Sequence, residues 1–170
     1  MSRPTKAILV IGIILIIYGY LCRILNIYFF WDSKTVGFIL LFVALLSYWV
    51  DLGRKRKQQG KKIIWATVGV CGIIFGLVIF AFTIFMIKTS DAYNAAIEFL
   101  KTDAKIKAEI GKVNGFGLIP TGTVQTTTFN GAESGSATFE IIVKAYKKYK
   151  DVSINLKKTS DNFWTVTDVR

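Results

Sequence analysis

The side chains available for chemistry in this chain are hydroxyls, carboxylates, lysines and two cysteines, because there is no histidine among its 170 residues. The commonest general base and transition-metal ligand is therefore missing. A serine or threonine nucleophile would need a lysine as its base, and no spacing suggests such a pair. Cys22 and Cys71 lie in apolar runs, so the polar half of the chain can build neither a disulfide nor a thiolate metal site. The acids beyond Lys88 (Asp91, Glu98, Asp103, Glu109, Glu133, Glu140, Asp151, Asp161 and Asp168) are scattered and read as surface charge. Gly115-x-Gly117 is too short for a phosphate loop, and no P-loop, dinucleotide glycine pattern or zinc spacing occurs. The expectation is a protein with no catalytic residues, no cofactor and no metal.

The residues that do carry a signal are cations. Arg54, Lys55, Arg56, Lys57, Lys61 and Lys62 place six positive charges in nine residues without an acid. They fall between long apolar runs. Ile63–Ile87 is 25 residues without a charge, and roughly 20 apolar residues cross the hydrocarbon core of a bilayer. Ala7–Phe30 is as long but contains Arg23 and Asn26, which suit its outer end, where Arg23 can snorkel toward headgroups. Thr35–Val50 is charge-free and at the lower limit for a span, with re-entrant insertion as the alternative. The first run is too long for a signal-peptide core and no small-x-small cleavage site follows it. It also lacks the Arg- and Ser-rich character of a mitochondrial transit peptide, which makes a bacterial inner membrane the expected home. The expected organisation is a transmembrane region over 1–88, with spans at about 7–29, 35–50 and 63–87 and a basic cytoplasmic loop at 51–62. A polar domain follows over 89–170.

The net charge of +11 could suggest nucleic acid. Its distribution argues otherwise: residues 1–87 hold ten cations and two acids, and residues 88–170 hold twelve cations and nine acids. Most of the excess is a topology signal, since cations flanking spans are retained on the cytoplasmic side. Three spans put the N-terminus and the Arg54–Lys62 loop inside, and the first loop and the C-terminal domain outside. Tyr28, Phe29, Phe30 and Trp31 suit the outer interface; Tyr48, Trp49 and Trp65 suit the inner one. The basic loop can also meet anionic headgroups. Gly72 and Gly76, with Gly69 one turn earlier, form a small-residue face in the third span. It suits packing against another span of this chain or, alternatively, against a partner helix.

Beyond Lys88, Ser90 is a helix N-cap with Asp91 in the first turn. Ala92, Ala96, Phe99 and Leu100 recur at helical spacing. Thr102 or Asp103 marks a break, and a short second helix with Ile106 and Ile110 should end at Gly111. From about Val113 the pattern becomes β. Gly115, Gly117, Pro120 and Gly122 punctuate a first hairpin, and Asn130-Gly131 is a second turn signal. Ala137, Phe139, Ile141, Val143 and Ala145 alternate with Thr138, Glu140, Ile142, Lys144 and Tyr146 as a half-buried strand. Val152, Ile154 and Leu156 repeat the pattern, and Ser160-Asp161-Asn162 turns the chain into a last strand, Phe163–Val169. With no helical crossovers, the expected fold is a small α+β domain: one helix, or two short ones, packed on an antiparallel β-meander.

This half of the chain resembles the cytochrome c oxidase assembly factor 1 family, which is related to the outer domain of a mitochondrial presequence-translocase subunit. The likeness rests on Ser90–Tyr93 through Phe99–Lys101, then Ile106-Lys107 and Ile110–Val113. It continues through Pro120–Gly122, Asn130–Ala132, Ala137–Phe139, Val143-Lys144 and Val152–Lys158, with Trp164. Family members often have a glycine-containing turn where this chain has Ala145–Lys150, and many have one anchor rather than three. The resemblance implies a membrane-tethered, non-enzymatic domain associated with assembly of respiratory complexes.

Lys144, Tyr146, Lys147, Lys148, Tyr149 and Lys150 are the candidate partner or lipid surface, with a solvated strand end as the ordinary alternative. An outer location disfavours nucleic acid. Membrane lipid and a membrane protein, a respiratory-complex subunit among the candidates, are the expected partners. A membrane-anchored ligand-binding or sensing domain is the second reading.

Overall fold

The computed structural model describes residues 1–129, 132–146, 148–158 and 163–170. Two compact units are present, Met1–Ala81 and Phe82–Arg170.

The first unit contains α1 (Arg3–Leu25), α2 (Ser33–Gln58) and most of α3 (Ile64–Thr89). All three helices are long and apolar enough to cross a membrane. Ser2 caps α1, its hydroxyl accepting the Thr5 N–H, and Asn26 in the left-handed conformation ends it. The second helix extends beyond the expected span over 35–50 at both ends. It runs for 26 residues, about 39 Å at the usual rise, which removes the reason for a re-entrant segment. The charge-based reading ended the span at Val50 and put Asp51 in the loop, but that carboxylate is accommodated within the helix by hydrogen bonds to Ser2 and Thr5.

α1 and α2 pack as an antiparallel pair along small residues. Thr5, Gly12 and Gly19 are buried at seven-residue spacing on α1, as are Gly37 and Ala44 on α2. This spacing keeps one seam facing a partner helix. At the closest approach a methyl group on Gly37 would lie 2.7 Å from Ile16 Cγ1 and 2.8 Å from the Gly12 carbonyl oxygen. Only glycine allows the backbones to come so near.

The second unit is the α+β domain. Ser90 caps α4 (Asp91–Thr102) by accepting the Tyr93 N–H at 3.2 Å, and Asp103 caps α5 (Ala104–Ile110) by accepting the Ile106 N–H at 2.8 Å. Five antiparallel strands follow: β1 (Val113–Phe116), β2 (Thr121–Phe129), β3 (Ala132–Ala145), β4 (Tyr149–Lys158) and β5 (Trp164–Val169). β2 to β5 form the expected meander. The expected first hairpin is absent. β1 pairs with the end of β3, at Val143–Ala145, and β2 pairs with its beginning. The two are successive pieces of one edge strand, and Gly117 N–H continues the ladder to the Ile142 carbonyl at 2.8 Å. The predicted turns at Asn130-Gly131 and Ser160–Asn162 lie outside the described residues.

One face of the sheet carries the core. Ala137, Phe139, Ile141, Val143 and Ala145 of β3 and Val152, Ile154 and Leu156 of β4 are buried with Ala92, Tyr93, Ala96 and Leu100 of α4 and Ile106 and Ile110 of α5. The period-two and period-3.6 patterns thus meet in a single apolar layer. Tyr93 meets Phe139 edge to face, with ring centroids 5.7 Å apart. The last turn of α3 belongs to this unit: Ile87 packs on the core and Lys88 Nζ donates to the Leu118 carbonyl at 2.8 Å.

Candidate functional site

The lysine–tyrosine segment at the β3–β4 junction does not form one surface. Lys144 and Tyr149 oppose each other across the two strands, and by alternation they face away from the helices. Lys150 pairs with Val143, on the helical side. Its Nζ lies 2.6 Å from Glu109 Oε2, and Lys148 Nζ donates to the Glu109 carbonyl at 3.4 Å. These two cations hold the C-terminal end of α5, where positive charge is favourable. Tyr146 is 85 % exposed, and Lys147 lies outside the described residues. Six residues between positions 144 and 150 read as a patch, and pairing in the sheet puts Lys144 and Tyr149 on one face and Lys150 on the other.

The basic segment after Asp51 is also rearranged. Arg54, Lys55, Arg56 and Lys57 belong to the last turns of α2, so the predicted loop over 51–62 shortens to the residues after Gln58. Four consecutive helical positions point in four directions about 100° apart, which makes a collar of charge rather than a face. Lys61 N–H donates to the Arg56 carbonyl at 3.0 Å and Gly60 N–H to the Lys57 carbonyl at 3.1 Å, with Gly60 at φ +67°. That double bond pattern is a Schellman ending, and it needs the left-handed residue. Lys61 and Lys62 follow, exposed. The collar can meet phosphate-bearing headgroups from several directions.

The three glycines of α3 have separate roles. A methyl group on Gly69 would lie 2.6 Å from Trp49 Cε3, so the α2 indole lies against that position. Gly72 and Gly76 have nothing within 4 Å of such a group. They line an open apolar groove of about 580 Å³ with Phe42, Trp49 and Phe80. Packing within the hairpin falls instead to Gly12, Gly19 and Gly37, which the sequence reading passed over although their seven-residue spacing was available as a signal.

Two polar clusters were likewise missed. Asp51 Oδ2 accepts the Ser2 N–H at 2.7 Å and the Thr5 hydroxyl at 3.0 Å. At the other end of the hairpin, Arg23, expected to reach toward headgroups, also bonds within the hairpin. Its Nη1 donates to the Gly19 and Trp31 carbonyls at 3.0 and 3.3 Å, and its guanidinium lies 5.1 Å from the Trp31 ring centroid. Contacts between residues distant in sequence carry the Asp51 cluster, whereas the Arg23 cluster is built within one stretch from Gly19 to Trp31.

In the α+β unit an open cleft of about 400 Å³ runs between α4 and β1, lined by Tyr93, Asn94, Ile97, Lys101, Val113 and Phe116 among others. Burial pushes the Tyr93 hydroxyl above the usual tyrosine range. The cleft offers one cation, two amides (Asn94 and Asn114) and aromatic walls, enough to orient a small anionic or amphipathic group. Among the described residues no group of three His, Cys, Asp or Glu side chains is placed to hold a metal ion.

No family model, curated protein or solved structure matches this chain.

Proposed function

We propose that this chain is a multi-pass protein of a bacterial inner membrane whose α+β domain lies outside the cytoplasm and serves as a non-catalytic protein-interaction module. Its clients are subunits of a membrane complex, and the resemblance of Ser90–Arg170 to oxidase assembly factors makes cytochrome oxidase the first complex to test. The observation that carries the reading is the state of α3. α1 and α2 are zipped together along glycines, whereas no residue in the most apolar stretch of α3 is fully buried by the rest of the chain. Its Gly72–Gly76 face opens into an apolar groove. A small-residue face flanked by aromatics is how a membrane helix receives a second helix at close range. The charge distribution supports the orientation, with the Arg54–Lys62 collar inside.

The test is purification of the full chain from native membranes in a mild detergent, with bound proteins identified by mass spectrometry. A subunit of a membrane complex should co-purify, and Gly72→Leu combined with Gly76→Leu should remove it without lowering the amount of the chain. Recovery of no membrane protein would count against the reading. A reporter active only outside the cytoplasm, fused after Arg170, should be active; activity of a cytoplasm-only reporter would reverse the orientation.

The cleft between α4 and β1 supports a second reading, a membrane-anchored ligand-binding domain. Under that reading a small anionic ligand protects the domain against thermal unfolding, and Lys101→Glu abolishes the protection.

A further inference from the structure

We propose that the outer edge of β2 is a docking edge for a second copy of this chain, the two β2 strands pairing antiparallel about Gln125. β2 spans nine residues and pairs only with β3 among the described residues. It contains no charged residue and no proline, and Pro120 stops short of it. Every side chain from Thr121 to Thr128 is exposed. A long, uncharged strand with one free ladder is a template for another strand, and proteins ordinarily guard such edges with charge, proline, a bulge or shortness.

The opposite edge of the same sheet is guarded in several of these ways. β5 has six residues, its ladder with β4 is irregular between Asn155 and Leu156, and Asp168 is followed by Arg170, whose Nε lies 2.8 Å from its carboxylate. The difference between the two edges is what singles out β2.

The β2 sequence is complementary to itself, and this selects a second copy over a foreign strand. With Gln125 opposite Gln125 of the other copy, Thr123 faces Thr127, and Val124 faces Thr126. Opposed residues then share a face, as Thr123 and Thr127 already do with Thr138 and Ser134 of β3. Threonine–threonine pairs across a ladder are favourable, and no like charges meet. The contact is isologous, so it closes at two copies and leaves no free β2 edge. Confinement in a membrane raises the effective concentration of the second strand. This inference concerns β2 alone and does not rest on the α3 face.

The test uses the full chain in native membranes carrying Gln125→Cys and a short bis-maleimide. Paired residues at this position lie roughly 5 Å apart at Cβ. A product at twice the 19.1 kDa of the chain should appear with Gln125→Cys. It should be absent from the unmodified chain, which carries the same Cys22 and Cys71, and from Thr165→Cys on the β5 edge. Adding Thr123→Lys and Thr127→Lys, both at exposed positions, should abolish the product. Co-expression with a Thr123→Glu, Thr127→Glu copy also carrying Gln125→Cys should restore it as a mixed dimer. Absence of the Gln125→Cys product overturns the proposal, as does a product indifferent to the lysine pair. An adduct of another mass, formed with a different protein, also overturns it.

Discussion

Asp51 and Ser2 meet across the α1–α2 hairpin, with Asp51 Oδ2 accepting the Ser2 backbone N–H at 2.7 Å. The Thr5 hydroxyl bonds the same oxygen, and the Ser2 and Thr5 hydroxyls lie 2.7 Å apart. A carboxylate near the end of one helix thereby accepts the backbone N–H of the residue that caps another and a hydroxyl from that helix's first turn. Asp51→Ala should loosen the open end of the hairpin, while Asp51→Asn keeps an acceptor and should loosen it less. Disulfide trapping between cysteines introduced near the ends of α1 and α2 reads the difference; equal trapping in all three proteins would contradict this role.

Gly37 is one of the tight points of the same seam. Gly37→Leu drives a side chain into Ile16 and the Gly12 carbonyl, with an overpacking cost of about 1–3 kcal/mol. Gly76→Ala meets nothing within the chain and should leave hairpin stability unchanged. Thermal unfolding of the two purified variants in detergent should rank them in that order.

Phe139 is fully buried at the centre of the α+β core and touches the Tyr93 ring. Phe139→Ala should destabilise the domain by about 3–5 kcal/mol. A fall in the denaturant midpoint of that magnitude, with the membrane hairpin still helical by circular dichroism, is the expected result.

Lys150 and Glu109 join β4 to α5 at the surface, their side chains 33 % and 54 % exposed. Such a pair contributes about 0.2–1 kcal/mol and is screened by salt. Lys150→Ala should therefore lower stability slightly at low ionic strength and scarcely at all in molar salt. A double-mutant cycle with Glu109→Ala measures the coupling.

Tyr93 gives the domain an alkaline limit. Burial raises its folded-state pKa above the unfolded value, so the folded state holds the phenolic proton more tightly. The associated stability is intact below about pH 10, the ordinary tyrosine value, and is lost as pH rises through the folded pKa. Tyr93→Phe should flatten the alkaline arm of a stability–pH curve relative to the parent protein.

The sequence by itself determined the apolar spans, the helix cap at Ser90, a break at Thr102 or Asp103, and the alternation that buries Phe139 and Ile154. Each of these is local: a run of apolar residues, a cap three residues from its donor, or a period of two or 3.6 suffices to read it. The positions of the expected functional residues were not legible in this way. Lys144 to Lys150 form one string in sequence, and only pairing in the sheet divides Tyr149 from Lys150 and gives Lys150 to Glu109. Asp51 looked like the end of a span until Ser2, 49 positions away, supplied its donor. β1 and β2 looked like a hairpin because their turn residues are local, yet β3 is long enough to accept both along one edge. Gly72 and Gly76 of α3 looked like packing residues, yet within the chain the close backbone approach falls at Gly12 and Gly37. What the tertiary structure decided in every case was the partner, because a contact between distant residues depends on register and facing, which no single segment encodes.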